Sequence, residues 1–276
     1  MALSPFRQGW IEGSPKISYT EIGAGPPVVF LHGIGGNQSN WEHQQRALSD
    51  ICTTISWDAR GYGNSEDYEG PLQFSLFSDD LLRLLDSRGI EKAHFVGLSM
   101  GARILMDFYA ISPKRVATLT LCDCFFSYDK SLSPEKQIEF IELRQRPLKE
   151  GKTLDEIAPD LIQSLVSPRC SLEARKILHE SIVSLHVESY LKTIEATTKF
   201  ELKSALEDFH VPVQLIFGEL DLLTPPEIGH SMKAKMPNAQ FAIIEGAGHL
   251  SNLEQPGDFS KVLREFIQHH LNLAKI

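Results

Sequence analysis

A chain of 276 residues, 42% of them hydrophobic, can bury one large core and carry an insertion besides. Its formal net charge of −9 argues against nucleic acid or an anionic membrane as a partner. Four scattered cysteines, Cys52, Cys122, Cys124 and Cys170, do not make a disulfide framework, and neither they nor the histidines show metal-ligand spacing.

Taken in chain order, Met1 to Arg7 lacks a basic stretch followed by an apolar core. No later run approaches the roughly eighteen apolar residues of a membrane span, so a cytoplasmic location is expected. Lys16 to Ile22 reads as an early antiparallel strand. Pro27-Val28-Val29-Phe30-Leu31 reads as a strand running directly into His32-Gly33-Ile34-Gly35-Gly36. Backbone N–H groups held in such a glycine loop can donate to the negative oxygen that acyl transfer creates. Ile34 is one expected donor and Met100 the other, with His32 fixing the loop by hydrogen bonding. Thr53 to Trp57 is the next strand, followed by Asp58-Ala59-Arg60-Gly61-Tyr62-Gly63-Asn64-Ser65, in which Asp58 and Arg60 read as structural. Leu76 to Leu85 has apolar positions on a helical period and ends at Gly89.

The most informative run is Ala93 to Ala102, where an apolar strand meets Gly97-Leu98-Ser99-Met100-Gly101 and then a helix-like stretch. A bare Gly-x-Ser-x-Gly arises by chance in roughly one chain in ten of this length, so the strand and helix around it carry the signal. In a strand–turn–helix elbow the glycines remove side chains that would collide, and the serine hydroxyl is pushed out at the strand's C-terminal edge. Ser99 is therefore the candidate nucleophile. Val116 to Leu121 reads as a further strand. Alternation of strand and helix implies an α/β chain with a mostly parallel central sheet, whose ligands gather at the strands' carboxyl ends.

The alternation stops near Phe125 and resumes near Val211. Helix-like pieces fill the interval: one from Pro134 to about Arg144, one from Asp155 to Val166 that Pro159 should divide, and one capped by Ser171 and running through His186. The expected division is thus a core of residues 1–124 and 210–276 with a helical lid of 125–209. Phe125, Phe126, Phe140, Leu143, Leu165 and Tyr190 are candidates for the lid's inner wall, and Leu250 for the pocket beside the histidine. Arg144, Arg146 and Lys149 are candidates to meet a substrate carboxylate, with a solvated face as the plainer reading.

A serine hydroxyl needs a base, and the base needs orienting. Val213 to Asp221 reads as a buried strand breaking at Gly218, which places Asp221 just beyond a strand end. Gln240 to Ile244 followed by Glu245-Gly246-Ala247-Gly248-His249 repeats the pattern and places His249 likewise. Asp123, after the sixth strand, is a rival for the acid.

The order Ser99, Asp221, His249 differs from the two common serine protease orders and is that of the α/β-hydrolase fold. With these blocks the chain resembles the α/β-hydrolase superfamily over nearly its whole length, and within it carboxylesterases and 3-oxoadipate enol-lactonases. The stretch Asp58 to Ser65 and the stretch Gly218-Glu219-Leu220-Asp221-Leu222-Leu223-Thr224-Pro225 are similar to blocks of that family, while Ala102 departs from a glycine common there. The resemblance implies an α/β-hydrolase fold: a mostly parallel central sheet flanked by helices, with the helical lid inserted after the sixth strand. It also implies a small-molecule ester or lactone substrate and no cofactor or metal, and it leaves the oligomeric state open. Serine at the elbow disfavours dehalogenase and epoxide hydrolase chemistry. Carbon–carbon hydrolysis of ring-fission products, disfavoured by Leu98 and Leu250 flanking the motifs, stays open, as do cofactor-free perhydrolysis and a hydrolase-like ligand receptor.

Overall fold

The computed structural model describes residues 5–126, 133–202 and 204–273. The N-terminal residues Met1 to Ser4 and residues 127–132 of the expected lid lie outside these. Among these described residues eight strands form one sheet: β1 (Arg7–Ile11), β2 (Ile17–Gly23), β3 (Pro27–Leu31), β4 (Thr53–Trp57), β5 (Ala93–Leu98), β6 (Val116–Cys122), β7 (Val213–Gly218) and β8 (Ala239–Ile244). Their spatial order is β1-β2-β4-β3-β5-β6-β7-β8. The pairs β1–β2 and β2–β4 are antiparallel and every other pair is parallel, so β3 to β8 all deliver their C-terminal ends to one edge. Strand β5 is buried at all six positions, as a parallel strand covered on both faces must be.

Among the described residues ten α-helices accompany the sheet: α1 (Glu42–Leu48), α2 (Ser75–Ser87), α3 (Met100–Ile111), α4 (Pro134–Lys149), α5 (Leu154–Leu165), α6 (Leu172–Val183), α7 (Val187–Lys199), α8 (Pro226–Lys235), α9 (Ser251–Glu254) and α10 (Pro256–Leu273). Four of them, α4 to α7, fall between β6 and β7, where the alternation was expected to lapse. Among the described residues no helix is long and apolar enough to cross a membrane, and no group of three His, Cys, Asp or Glu side chains is placed to hold a metal ion.

Three sequence expectations need correction. Pro159 does not divide its helix: α5 runs unbroken from Leu154 to Leu165, because a capping box between Thr153 and Glu156 fixes its first turn and Pro159 follows closely enough to forfeit a single early hydrogen bond. The helix beginning at Pro134 passes Arg144 and Pro147 to reach Lys149. Ser171 does cap α6, accepting from the Ala174 N–H at 3.1 Å, but that helix stops at Val183 and α7 begins separately at Val187. Strand β1 was not anticipated. Its five residues are mostly exposed and show no alternation, and only pairing with β2 makes them a strand.

Candidate active site

Ser99 lies between β5 and α3 with φ 54° and ψ −110°, a left-handed backbone that a non-glycine residue adopts at a cost of about 1–3 kcal/mol. The flanking glycines explain how the elbow closes. A Cβ on Gly97 would lie 2.5 Å from the Gly101 carbonyl carbon, and one on Gly101 would lie 2.2 Å from the Leu31 carbonyl oxygen. Both contacts are with backbone, so no side-chain rotation relieves them.

His249 reaches this serine from the loop after β8. Its Nε2 is 3.1 Å from Ser99 Oγ, and its Nδ1 is 2.8 Å from Asp221 Oδ2. A carboxylate only accepts, so Nδ1 carries the ring proton and the bare Nε2 faces the hydroxyl. Asp221, just past β7, accepts from the N–H groups of Leu223 and Thr224 on Oδ1 (2.8 and 2.9 Å) and from the Thr224 hydroxyl on Oδ2 (2.5 Å). Burial would raise its pKa, but His249 and the donors of Thr224 outweigh that and hold the carboxyl below its ordinary range. Burial likewise disfavours the His249 cation, yet the charge and hydrogen bond of Asp221 prevail and lift the imidazole above its ordinary 6.5.

The rival acid has another place. Asp123, at the end of β6 with φ 45°, is fully buried; its Oδ1 accepts from the Gly218 N–H at 2.7 Å and its Oδ2 bonds the Ser251 hydroxyl. Burial first, and then the Asp221 charge, push its pKa up to about 8. It thus pins the root of the Asp221 loop to the residue two beyond His249 without itself bonding the imidazole.

The loop after β3 is held just as firmly. His32 Nε2 accepts from the Ala59 N–H at 3.0 Å, so its proton sits on Nδ1, which donates to the Gly33 carbonyl at 2.8 Å. Burial depresses the His32 pKa to about 4 and keeps the ring neutral. The Gly33 carbonyl also accepts from the Gly36 N–H at 3.1 Å. The peptide after Gly33 is trans, so a carbonyl tethered on that side leaves the Ile34 N–H pointing the opposite way. The Met100 N–H opens α3, where helical N–H groups have no partner within the helix. Neither N–H is hydrogen-bonded internally among the described residues. Asp58 accepts from the N–H groups of Gln38 and Asn64, and Arg60 pairs with buried Asp80, as the structural reading of both expected.

Ser99, His249, Ile34 and Met100 open onto one cavity of about 80 Å³. Of the expected wall residues, Phe125, Phe140, Leu165, Tyr190 and Leu250 line it. Leu143 and Phe126 do not. Leu143 stands two residues from each of the buried Ile141 and Gln145, which turns it to the outer face of α4, where it is 66% exposed. Phe126 packs against the core and beside the Lys235 ammonium instead. Arg144 lines the cavity over the Phe140 ring, whereas Arg146 and Lys149 are exposed. Sequence reading missed the supports: Thr224, Ser251 and Glu254 lie in or after the motifs, but nothing in their spacing announces the bonds they make.

The model of the alpha/beta hydrolase family matches residues 28–262, a span that includes every residue of this site. The chain belongs to that family. Among curated relatives, a protein of Azorhizobium caulinodans provisionally named carbamate hydrolase RutD is 28% identical over 95% of this chain and 97% of its own. 3-Oxoadipate enol-lactonase 1 of Acinetobacter baylyi is 25% identical over 88% of this chain and 89% of its own. Among solved structures, a thermophilic esterase from Thermogutta terrifontis superimposes with a TM-score of 0.87 at 26% identity, covering 96% of this chain and 99% of the esterase. This family member therefore keeps company with hydrolases of esters, lactones and carbamates.

Proposed function

We propose that this alpha/beta hydrolase cleaves a carboxylic ester or lactone through an acyl-enzyme, with Ser99 as nucleophile, His249 as general base and Asp221 as its orienting acid. The observation that carries the reading is the continuous pair of contacts, 3.1 Å from Ser99 Oγ to His249 Nε2 and 2.8 Å from His249 Nδ1 to Asp221 Oδ2. His249 takes the hydroxyl proton as Ser99 Oγ attacks the carbonyl carbon. The resulting oxyanion lies between the N–H groups of Ile34 and Met100, and Asp221 stabilises the imidazolium. His249 then gives the proton to the departing alcohol or enol oxygen, which in a lactone stays tethered to the acyl chain. A water, deprotonated in turn by His249, attacks the acyl-enzyme and restores Ser99 with release of the acid.

Helices α4 to α7 act as a lid in this scheme. Each contributes to the cavity wall, as with Phe140, Leu165, Ile182 and Tyr190, so the acyl group meets the insertion and water is excluded around the reacting carbonyl. The test compares wild type with Ser99→Ala on p-nitrophenyl esters of graded chain length and on a lactone panel. Turnover should fall by a factor of about 10⁴ to 10⁶ in a variant that keeps the wild-type circular dichroism. Turnover near wild type in Ser99→Ala would overturn the assignment.

A further inference from the structure

The loop that carries His249 is not held by the core alone. The His249 N–H donates at 2.8 Å to the carbonyl of Leu165, the last residue of α5 in the insertion. The preceding N–H, of Gly248, donates at 3.0 Å to Glu254 Oε1, and the other oxygen of that carboxylate accepts at 2.8 Å from the N–H of Ser167, again in the insertion. Glu254 is buried at the end of the single-turn helix α9. The three strands of chain are in such close contact that a Cβ on Gly248 would lie 2.6 Å from Ser167 N, 2.9 Å from Leu165 O and 2.9 Å from Glu254 Oε1.

We propose that Glu254 is a positioning residue that ties the histidine loop to the helical insertion, so that His249 keeps its place against Ser99 only while the end of α5 is docked. A buried carboxylate is costly unless charge-assisted hydrogen bonds compensate it, and space alone would be filled as well by a neutral side chain. Here both oxygens are used, one on each side of the boundary between loop and insertion. Leu165 gives the arrangement a consequence, because its side chain lines the cavity while its carbonyl holds His249. An acyl group that shifts Leu165 shifts the base with it. The inference rests on the acyl-enzyme reading above.

The groups facing His249 are Ser99, Thr224 and Asp221, with Asp123 at the end of β6 and Glu254 on α9. Facing Glu254 from the insertion is the Cys170 thiol, which burial and then the Glu254 charge push up to about 11, so it stays uncharged near neutrality. The Glu254 carboxylate lies near enough to His249 to favour the imidazolium, and removing it has a signature that packing damage lacks.

The experiment measures the rate at which a fluorophosphonate labels Ser99 as a function of pH, with Ser99→Ala as the blank. Glu254→Gln keeps the shape but replaces one acceptor by a donor. It should label roughly tenfold more slowly, since small displacements of a base are costly, and its half-maximal rate should move to lower pH. Hydrogen exchange in the peptide covering residues 166–170 should quicken in the same variant. Ser167→Pro deletes the insertion's N–H, along with the hydroxyl that accepts from the Arg169 N–H, and leaves Glu254 itself unchanged; it should slow labelling while leaving the pH midpoint unmoved, and it carries the test if Glu254→Gln fails to fold. A folded Glu254→Gln with wild-type rate and midpoint would overturn the inference and leave the acyl-enzyme reading standing. Failure of wild type to label at Ser99 would remove both.

Discussion

At the scale of the residue, the site turns on which of two carboxyls meets the histidine. Asp221 and Asp123 both follow strand ends and both are buried. What separates them is their donors: Asp221 collects the Leu223 and Thr224 donors and the His249 ring, while Asp123 is consumed by Gly218 and Ser251. The two carboxyls shift in opposite directions: burial of Asp221 is outweighed by His249 and the Thr224 donors, which hold it below its ordinary value, whereas burial and the Asp221 charge outweigh the donors of Asp123 and push it up to about 8. A prediction follows for His249. In the proposed mechanism His249 acts as base only when neutral, and its pKa is raised above the ordinary 6.5, so kcat/KM should fall as pH drops through a midpoint higher than that of a free imidazole. A pH profile of kcat/KM from 5 to 9 checks this, and an acid limb below 6.5 would contradict the Asp221 pairing.

At the scale of the element, the elbow between β5 and α3 was legible because its glycines are demanded by backbone contacts rather than by fashion of sequence. Gly101→Ala should destabilise the protein by about 3 kcal/mol or more, since a Cβ there meets the Leu31 backbone at 2.2 Å. Urea unfolding of the variant measures it, and an unchanged midpoint would show that β3 and α3 can move apart. Ala102, by contrast, is fully buried one residue further on and accommodated. Helices of the insertion were legible in kind but not in extent. The proline signal misled at Pro159, where capping and packing outweigh the loss of one hydrogen bond. Strand β1 had no local signal at all, because an edge strand with exposed side chains is defined by its partner.

At the scale of the whole molecule, the sheet brings the ends of β3, β5, β7 and β8 to one edge, and side chains of helices α4 to α7 line the cavity of about 80 Å³ found there. So confined a space should favour short acyl chains. In the p-nitrophenyl series, kcat/KM should fall roughly tenfold or more between the butyrate and the dodecanoate, and a profile rising with chain length would show that the insertion opens to admit its substrate. The sequence by itself determined the alternation of strand and helix, the elbow, and the order of Ser99, Asp221 and His249, because strained turns and buried strands leave glycines and apolar runs in fixed places. Only the tertiary structure decided that Asp221 rather than Asp123 meets the imidazole, that Leu143 faces away from the cavity, and that Glu254 joins the histidine loop to the insertion. These are contacts between segments far apart in the chain, and a hydrogen bond that spans 87 residues, as from Ser167 to Glu254, leaves no periodicity for a sequence to show.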